Sequence, residues 1–559
     1  MVGSSRGPYR EAVMCYIEDM KEIVTSWADF ERLLSDKNLV YVDKTEHVHR
    51  MVRSNGGFYF ISRPRRFGKS LMCSTLDALF SGKKELFEGL RIARTDYSFK
   101  AYPVLRFDFS KLDTGTYEDF LNGFRRQLRA NAVRCGLTLN DMKPADMMDE
   151  LLSALASPVI IIDEFDSPVT DAVSRGKSEL AEDIRTALNS FYKVIKSHTG
   201  RIRFLFITGC TKLSGLAIFS AMNNLQDISS DPEYSSAFGY TEEELEENFS
   251  EHIAKKLSEP GCGYGSREEF LAALRNYYDG YRFSPYSRQR VYNPVSVGRY
   301  FGSSVNAFQN FWMQTGGMST LAVLLARALD LLSIVEEKPR LSQTELSCFD
   351  LLAIPTDRSE RKAAAALLYY AGYLTIADAR GTTLYLDFPD AEVRTSMLAL
   401  VLRSYTREHE YPIMLVEDVF EAAEKGDIAS MARFLNEYYR LFNYADLAGS
   451  KEQAVRLLFK AFFGMLRLAV FTEVPSGKGR LDAVLVTSGQ NYIFEFKVDG
   501  KTSTDAFGQV IERHYAWLLP ENARPLHLIG LDFRTEEQQI VSYTHQLYGS
   551  GGIETCKLS

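Results

Sequence analysis

The chain has 559 residues, too many for a single hydrophobic core, and ordinary domain sizes imply two to four domains. Apolar residues make up 45% and charged residues 25%, the proportions of a folded globular protein, and no low-complexity tract interrupts them. The net charge of −8 excludes a surface coated in positive charge for constitutive nucleic-acid or membrane binding and leaves room only for a local basic groove.

Seven scattered cysteines form no CxxC pair and eight histidines no HExxH, so neither a zinc site nor a disulfide framework is expected, and a reducing, cytoplasmic setting fits. The N terminus lacks an apolar signal core. The most apolar helix candidate, Leu321 to Leu332, is interrupted by Arg327 and Asp330, so no membrane span is expected.

In chain order, Gly57 to Ile61 (GFYFI) reads as a buried strand and is followed by SRPRRFGKSLMCSTLDALF, a loop opening into a helix. Gly68, Lys69 and Ser70 end a phosphate-binding loop, in which backbone N–H groups and a helix N terminus hold phosphates. Lys69 is expected to reach the β and γ phosphates of ATP, Ser70 to ligate Mg²⁺, and Arg65 and Arg66 to add charge to the loop. Arg63 stands where GxxxxGK[ST] has its first glycine. An isolated Gly-Lys-Ser is more simply a helix cap, so the motif needs support from the rest of the domain.

That support is SPVIIIDEFDSP, a hydrophobic strand ending in Asp163 and Glu164. Asp163 is expected to hold the magnesium hydration shell and Glu164 to orient the attacking water. Further strands are expected at Val104 to Phe109 and Ile202 to Ile207, the last running into Thr208, a candidate γ-phosphate sensor. Four strands alternating with helices give a parallel sheet with helices on both faces and a ligand at the strand C-terminal edge. The runs SRPRRFGKS, IIIDEFD and TGCTKLSGLAIFSAMNNLQDIS together resemble the AAA-ATPase-like domain of bacterial two-domain proteins, over roughly residues 23–231. Arg63 belongs to that family's pattern, and the resemblance implies a P-loop NTPase whose loop geometry departs from an ordinary one.

Residues 232–400 read as a mostly helical lid or connector, with TEEELEENF opening one helix and LARALDLLSIV continuing another. NYYDGYRFSPYSRQRVYNP is turn-rich, with Asp279-Gly280 expected as a turn and Asn293-Pro294 as a helix start. LLYYAGYLTI and TLYLDFPDAEVR suggest a small strand-containing module of winged-helix type.

Residues 401–559 begin with helices and then switch to short strands, AVFTEV, GKGRLDAVLV and NYIFEFKV, followed by a helix through FGQVIERHYAWLL. Alternation places Glu495 and Lys497 on one face, and a neighbouring strand brings Asp482 to them. Two carboxylates and a lysine on an otherwise apolar face need a compensating partner, and a divalent cation supplies it. Asp482 and Glu495 are expected to ligate Mg²⁺ or Mn²⁺, with Glu473 adding a carboxylate, Lys497 stabilising transition-state charge, and Gln509 and Tyr515 orienting the site. A bare ExK is more simply a cross-strand ion pair. The ordered set EVPSGKGRLD, IFEFK and GQVIERHY resembles the PD-(D/E)XK nuclease superfamily domain of the same bacterial proteins, and the resemblance implies an α/β restriction-endonuclease-like fold.

The function implied by the two resemblances is an ATP-dependent or ATP-regulated nuclease with nucleic acid as substrate. The alternative is an ATP-driven switch or scaffold whose nuclease-like domain binds without cutting. Lys and Arg number 12 from Lys451 to the C terminus, as do Asp and Glu, and this neutrality keeps the alternative open. An arginine from a neighbouring copy, as in many such ATPases, would make the chain a homo-oligomer, and the sequence nominates none.

Overall fold

The computed structural model describes residues 20–53, 57–212, 224–259, 264–306, 308–314, 338–347, 361–397, 413–442, 455–456, 458–459, 462, 469–476, 479–487, 489–512, 524–550 and 552–558. It divides into two compact units, one of Met1–Leu329 with Glu337–Arg394 and the other of Asp330–Glu336 with Thr395–Ser559.

The N-terminal unit is built on a parallel sheet of β1 (Gly57–Ser62), β2 (Val104–Asp108), β3 (Val159–Asp163), β4 (Phe204–Gly209) and the two-residue β5 (Gln226–Asp227). Its order is β2-β3-β4-β1-β5, one strand more than the motifs predict. β1, β3 and β4 are buried along their whole length, as parallel strands covered on both faces must be, which explains their runs of Phe, Val and Ile. Because β4 inserts between β1 and β3, the order reverses beside β1, and a crevice opens at the C-terminal strand ends.

Helices α1 (Lys69–Phe80), α2 (Tyr117–Arg134), α3 (Pro144–Ala154) and α4 (Ser178–Ser197) connect these strands. α4 shows why they pack: Ala181, Ile184, Leu188, Phe191 and Ile195 recur every three or four residues and form its buried stripe.

Residues 232–394 share this unit. Thr241 and Glu244 form a reciprocal capping box on the helix Glu242–Asn248, and Asn293 caps Pro294–Gly302 through Val295 N–H and Ser296 N–H, as the sequence predicts. Asp279-Gly280 is not a turn. It opens the short strand β6 (Asp279–Tyr281), paired with β7 (Val291–Tyr292), and a Cβ on Gly280 would stand 1.7 Å from the carbonyl oxygen of Pro389. The close approach of another backbone, rather than chain reversal, calls for glycine there. A small antiparallel sheet follows, β8 (Arg340–Ser342), β9 (Thr375–Arg380) and β10 (Thr383–Asp387). The expected helix at 321–332 lies outside the described residues.

The C-terminal unit carries a mixed sheet in strictly sequential order: β11 (Ala469–Ser476), β12 (Gly479–Val486), β13 (Asn491–Val498), β14 (Leu526–Arg534), β15 (Gln539–Leu547) and β16 (Glu554–Lys557). β13 and β14 are parallel and the other neighbours antiparallel, so the helix α5 (Ser503–Glu512) lies in the crossover that a parallel pair demands. Helices Ile413–Lys425 and Ile428–Tyr439 contribute Val419, Leu435 and Tyr439 to a core shared with Phe494, Phe496 and Phe533. Among the described residues, no helix is long and apolar enough to cross a membrane.

Candidate functional site

The chain leaves β1 at Ser62 and enters α1 at Lys69, and two residues take left-handed backbone to make the connection: Arg66 at φ 71° and Gly68 at φ 88°. Glycine adopts this region freely and arginine does so at a cost. Gly68 caps α1 without a side chain, which leaves the first N–H groups of the helix directed at the loop, the arrangement that binds phosphate. Lys69 Nζ donates to the carbonyl oxygens of Arg63 (2.9 Å) and Pro64 (3.0 Å) and lies 3.4 Å from Cys210 Sγ. Burial works against its charge, but Cys210, Glu164, Asp163 and Asp166 outweigh burial and hold the ammonium above its ordinary pKa.

Arg63, the residue in the place of the first glycine, has a structural task. It is 2% exposed. Its guanidinium donates to Ser62 O (2.9 Å), Ser229 O (2.7 Å) and Tyr234 O (3.2 Å) and lies 4.2 Å from the centre of the Phe283 ring. Burial pulls its pKa down to about 10, so it stays charged at neutral pH. The loop is therefore pinned from beneath by a cation, while Phe67 packs on Tyr281 and Phe283 at 4.7 and 5.2 Å. The aromatic DGYRF stretch of the middle region thus forms the backing of the phosphate loop.

Asp163 ends β3 fully buried, and Thr208 Oγ1 donates to its Oδ1 at 2.6 Å. The same hydroxyl accepts from Glu164 N–H at 3.2 Å. Thr208 thus links the two acidic residues to β4. Glu164 is left-handed at φ 50°, a strained conformation for a non-glycine residue that turns the chain sharply off β3. Burial pushes its carboxyl pKa up, with Lys69 opposing and Asp166 adding to the shift. Asp166, the last acid of DEFD, accepts from Cys210 N–H, Thr211 N–H and Thr211 Oγ1, which fastens the loop after β3 to the loop after β4. A Cβ on Gly209 would stand 2.4 Å from the Phe165 ring, so that crossing requires glycine.

Two cavities meet at this point. One, of about 330 Å³, runs from Gly68, Lys69 and Ser70 to an apolar end formed by Val24, Trp27, Tyr41 and Tyr240, a size and lining suited to a nucleotide. The other, of about 370 Å³, is lined by Arg65, Asp166, Thr170 and Tyr370, and both include Arg66 and Glu164 in their walls. Ser70 and Asp163 also border a separate open groove. Arg65 belongs to the second cavity and does not line the first.

In the C-terminal unit the site is a matter of register. The β12–β13 pairing runs from Val486/Asn491 to Ala483/Phe494 and stops. There Asp482 Oδ2 takes over as acceptor for Phe496 N–H at 2.8 Å. Across β12, Thr472 pairs with Ala483 and Val474 with Leu481, so the backbone of Glu473 stands opposite Asp482. Glu473, Asp482 and Glu495 therefore lie at one level of three adjacent strands. The Glu473 side chain and Tyr515 lie outside the described residues.

Asp482 and Glu495 are 6% and 3% exposed. Arg456 Nη1 donates to Asp482 Oδ1 at 2.8 Å, and Lys497 Nζ lies 3.7 Å from Glu495 Oε1. Gln509 sits on α5, which packs on β13 and β14, and its buried Oε1 has no hydrogen-bond partner among the described residues. Among the described residues no group of three or more His, Cys, Asp or Glu comes together to hold a metal. Two buried carboxylate groups with an orphaned amide oxygen on a neighbouring helix still fit a hard divalent cation, since Mg²⁺ is commonly held by one or two carboxylates plus water and substrate phosphate.

Reading the sequence missed Asp166, Cys210 and Arg456. Asp166 carries a signal as the third acid of DEFD. Arg456 carries none, because it meets Asp482 from a helical stretch 26 positions away.

Comparison with known proteins bears out both resemblances. Residues 25–219 match a family model described as Predicted AAA-ATPase, and residues 450–543 match one described as the PD-(D/E)XK nuclease superfamily. A protein of Azotobacter chroococcum mcd 1, described as an uncharacterized protein in the vnfD 5′ region, is 29% identical over 540 residues, covering 93% of this chain and 98% of that protein. The chain thus carries an AAA-ATPase-like region ahead of a nuclease-like one, and the two descriptions imply nucleotide and divalent metal use in general.

Proposed function

We propose that this chain is an ATP-hydrolysing, ATP-regulated nuclease that cuts phosphodiester bonds in nucleic acid with Mg²⁺ or Mn²⁺. The observation that carries the reading is the alignment of Glu473, Asp482 and Glu495 on three adjacent strands, with Lys497 beside Glu495. A divalent cation, when bound, supplies charge neutralisation at the phosphates of either site. In the C-terminal unit Asp482 and Glu495 hold it, with Glu473 as a further ligand, Lys497 offsets charge developing on the attacked phosphate, and Gln509 orients the site.

In the N-terminal unit the N–H groups of the loop, Lys69 and Arg66 bind the nucleotide phosphates, Arg65 adds charge from the second cavity, and Ser70 and Asp163 hold the cation. Glu164 takes a proton from the attacking water, and Thr208 ties its backbone to Asp163 so that both respond to the γ-phosphate. Residues 232–394, which back the loop, relay nucleotide state. A cytoplasmic homo-oligomer is part of the same reading.

The test is cleavage of single- and double-stranded DNA and RNA by the full chain with Mg²⁺ or Mn²⁺, with and without ATP, beside Glu495→Ala. Metal-dependent cleavage lost in the variant is expected. Cleavage that survives in Glu495→Ala removes the site assignment. The switch reading, in which the C-terminal unit binds without cutting, is favoured by the balance of 12 basic against 12 acidic residues from Lys451 to the C terminus. ATP-dependent retention of oligonucleotide without cleavage would select it.

A further inference from the structure

The carboxylates of the C-terminal site already have cations. Asp482 Oδ1 receives Arg456 Nη1 at 2.8 Å, and Glu495 faces Lys497 at 3.7 Å. Asp482 and Glu495 side chains are 8% and 4% exposed, while those of Arg456 and Lys497 are 20% and 15% exposed. Among these four described groups two negative charges meet two positive ones, and water screens them little. A divalent cation at Asp482 Oδ1 must take the oxygen that Arg456 already holds, and two cations on one oxygen in a desolvated place repel each other strongly.

Lys497 and Arg456 are not equivalent in this respect. Lys497 shares β13 with Glu495, so its position is set by the strand. Arg456 reaches Asp482 from a separate helical stretch, and its guanidinium is a planar fork that matches a phosphate as well as it matches a carboxylate. Asp482 keeps its orientation without Arg456, because Oδ2 accepts from Phe496 N–H.

Resting on the reading of Asp482 and Glu495 as a metal site, we infer that Arg456 is a cation gate. It occupies Asp482 Oδ1 and competes with the divalent cation for that oxygen. A phosphodiester arriving at the site draws the guanidinium away and brings negative charge with it. Metal and polynucleotide then bind together, and the site stays unloaded when no strand is present.

The experiment is calorimetric titration of Mn²⁺ into the full chain, free of nucleotide, with and without a phosphorothioate oligonucleotide, comparing wild type, Arg456→Gln, Arg456→Met and Glu495→Ala. Arg456→Gln is expected to bind Mn²⁺ about tenfold more tightly than wild type. The oligonucleotide should tighten Mn²⁺ binding in wild type and add little in Arg456→Gln. Equal or weaker Mn²⁺ binding by Arg456→Gln overturns the gate. If that variant does not fold, Arg456→Met, which removes the charge and keeps the length of the side chain, decides: tighter binding supports the gate, and unchanged or weaker binding ends it. Glu495→Ala separates the two levels, because Mn²⁺ binding equal to wild type there would show that the carboxylates are not the metal site.

Discussion

The two sites are stabilised in different ways. At the phosphate loop the geometry is made by backbone: left-handed Arg66 and Glu164, the glycines at 68 and 209, and two buried side chains, Arg63 and Asp166, that bond mainly to main-chain groups. At the C-terminal site the geometry is made by strand register, and what is balanced there is side-chain charge, Arg456 against Asp482 and Lys497 against Glu495. A backbone-built site can carry an unusual residue such as Arg63 because that residue works beneath the loop. A site made of opposed charges changes its affinity for ions whenever one member is altered.

The strongest way to sharpen this contrast is Glu164→Gln. The amide keeps the size and the left-handed backbone but cannot take a proton, so kcat for ATP hydrolysis should fall about 10²- to 10⁴-fold with nucleotide affinity retained, as steady-state rates and nucleotide titration would report. Retained turnover would remove Glu164 from the chemistry.

Arg63→Gly, which restores the glycine of an ordinary loop, should act in the opposite manner. It removes hydrogen bonds from a buried cation to three carbonyl oxygens and the ring contact with Phe283, at a cost of about 3 kcal/mol, read by thermal or denaturant unfolding. Unchanged stability with altered nucleotide affinity would break the contrast, since Arg63 would then belong to the phosphate site.

The smallest effect concerns a buried acid of the N-terminal unit. Glu392 accepts from Trp312 N–H at 2.7 Å, and burial pushes its pKa up to about 7, against the opposing effects of Ser296, Trp312, Phe311 and Arg66. The folded state binds its proton more tightly than the unfolded state does. Its stabilising contribution is therefore complete below the ordinary carboxylate range and is lost as pH rises through about 7. Glu392→Gln keeps an uncharged group there at every pH, so the variant should gain on wild type by about 2–4 °C in melting temperature between pH 5 and pH 8. A difference that does not change with pH would mean that Glu392 is ionised throughout.

Much of the architecture could be read from short stretches. GFYFI, VIIID and the run into Thr208 were legible as strands because all their residues are buried, and the order of motifs implied the parallel sheet. The C-terminal carboxylates were legible for a related reason: alternation fixes faces within a strand, and short connections make neighbours of successive strands. The fifth strand of the N-terminal sheet was not legible, since Gln226 and Asp227 are exposed and carry no apolar pattern. Asp279-Gly280 reads as a turn in the sequence because the pair signals backbone freedom; Gly280 does use it, at φ 146°, but within a strand and against the Pro389 backbone, which local sequence does not show. Arg65 and Arg66 are expected together as nucleotide contacts; both line the second cavity, and Arg66 also lines the first.

The sequence by itself determined where phosphate chemistry is expected: a loop ending in Gly68-Lys69-Ser70, acids at the end of a buried strand, and carboxylates at matching levels of a meander. These follow from local periodicity and chain connection, which depend on near neighbours. Only the tertiary structure decided which partners the charged groups have. Arg63 finds Ser229 and Tyr234 more than 160 positions away, and Arg456 finds Asp482 across 26. A buried charge must be compensated, but a guanidinium is satisfied equally well by carbonyl oxygens, a carboxylate or a phosphate. Which of them lies within reach is settled by the packing of distant segments.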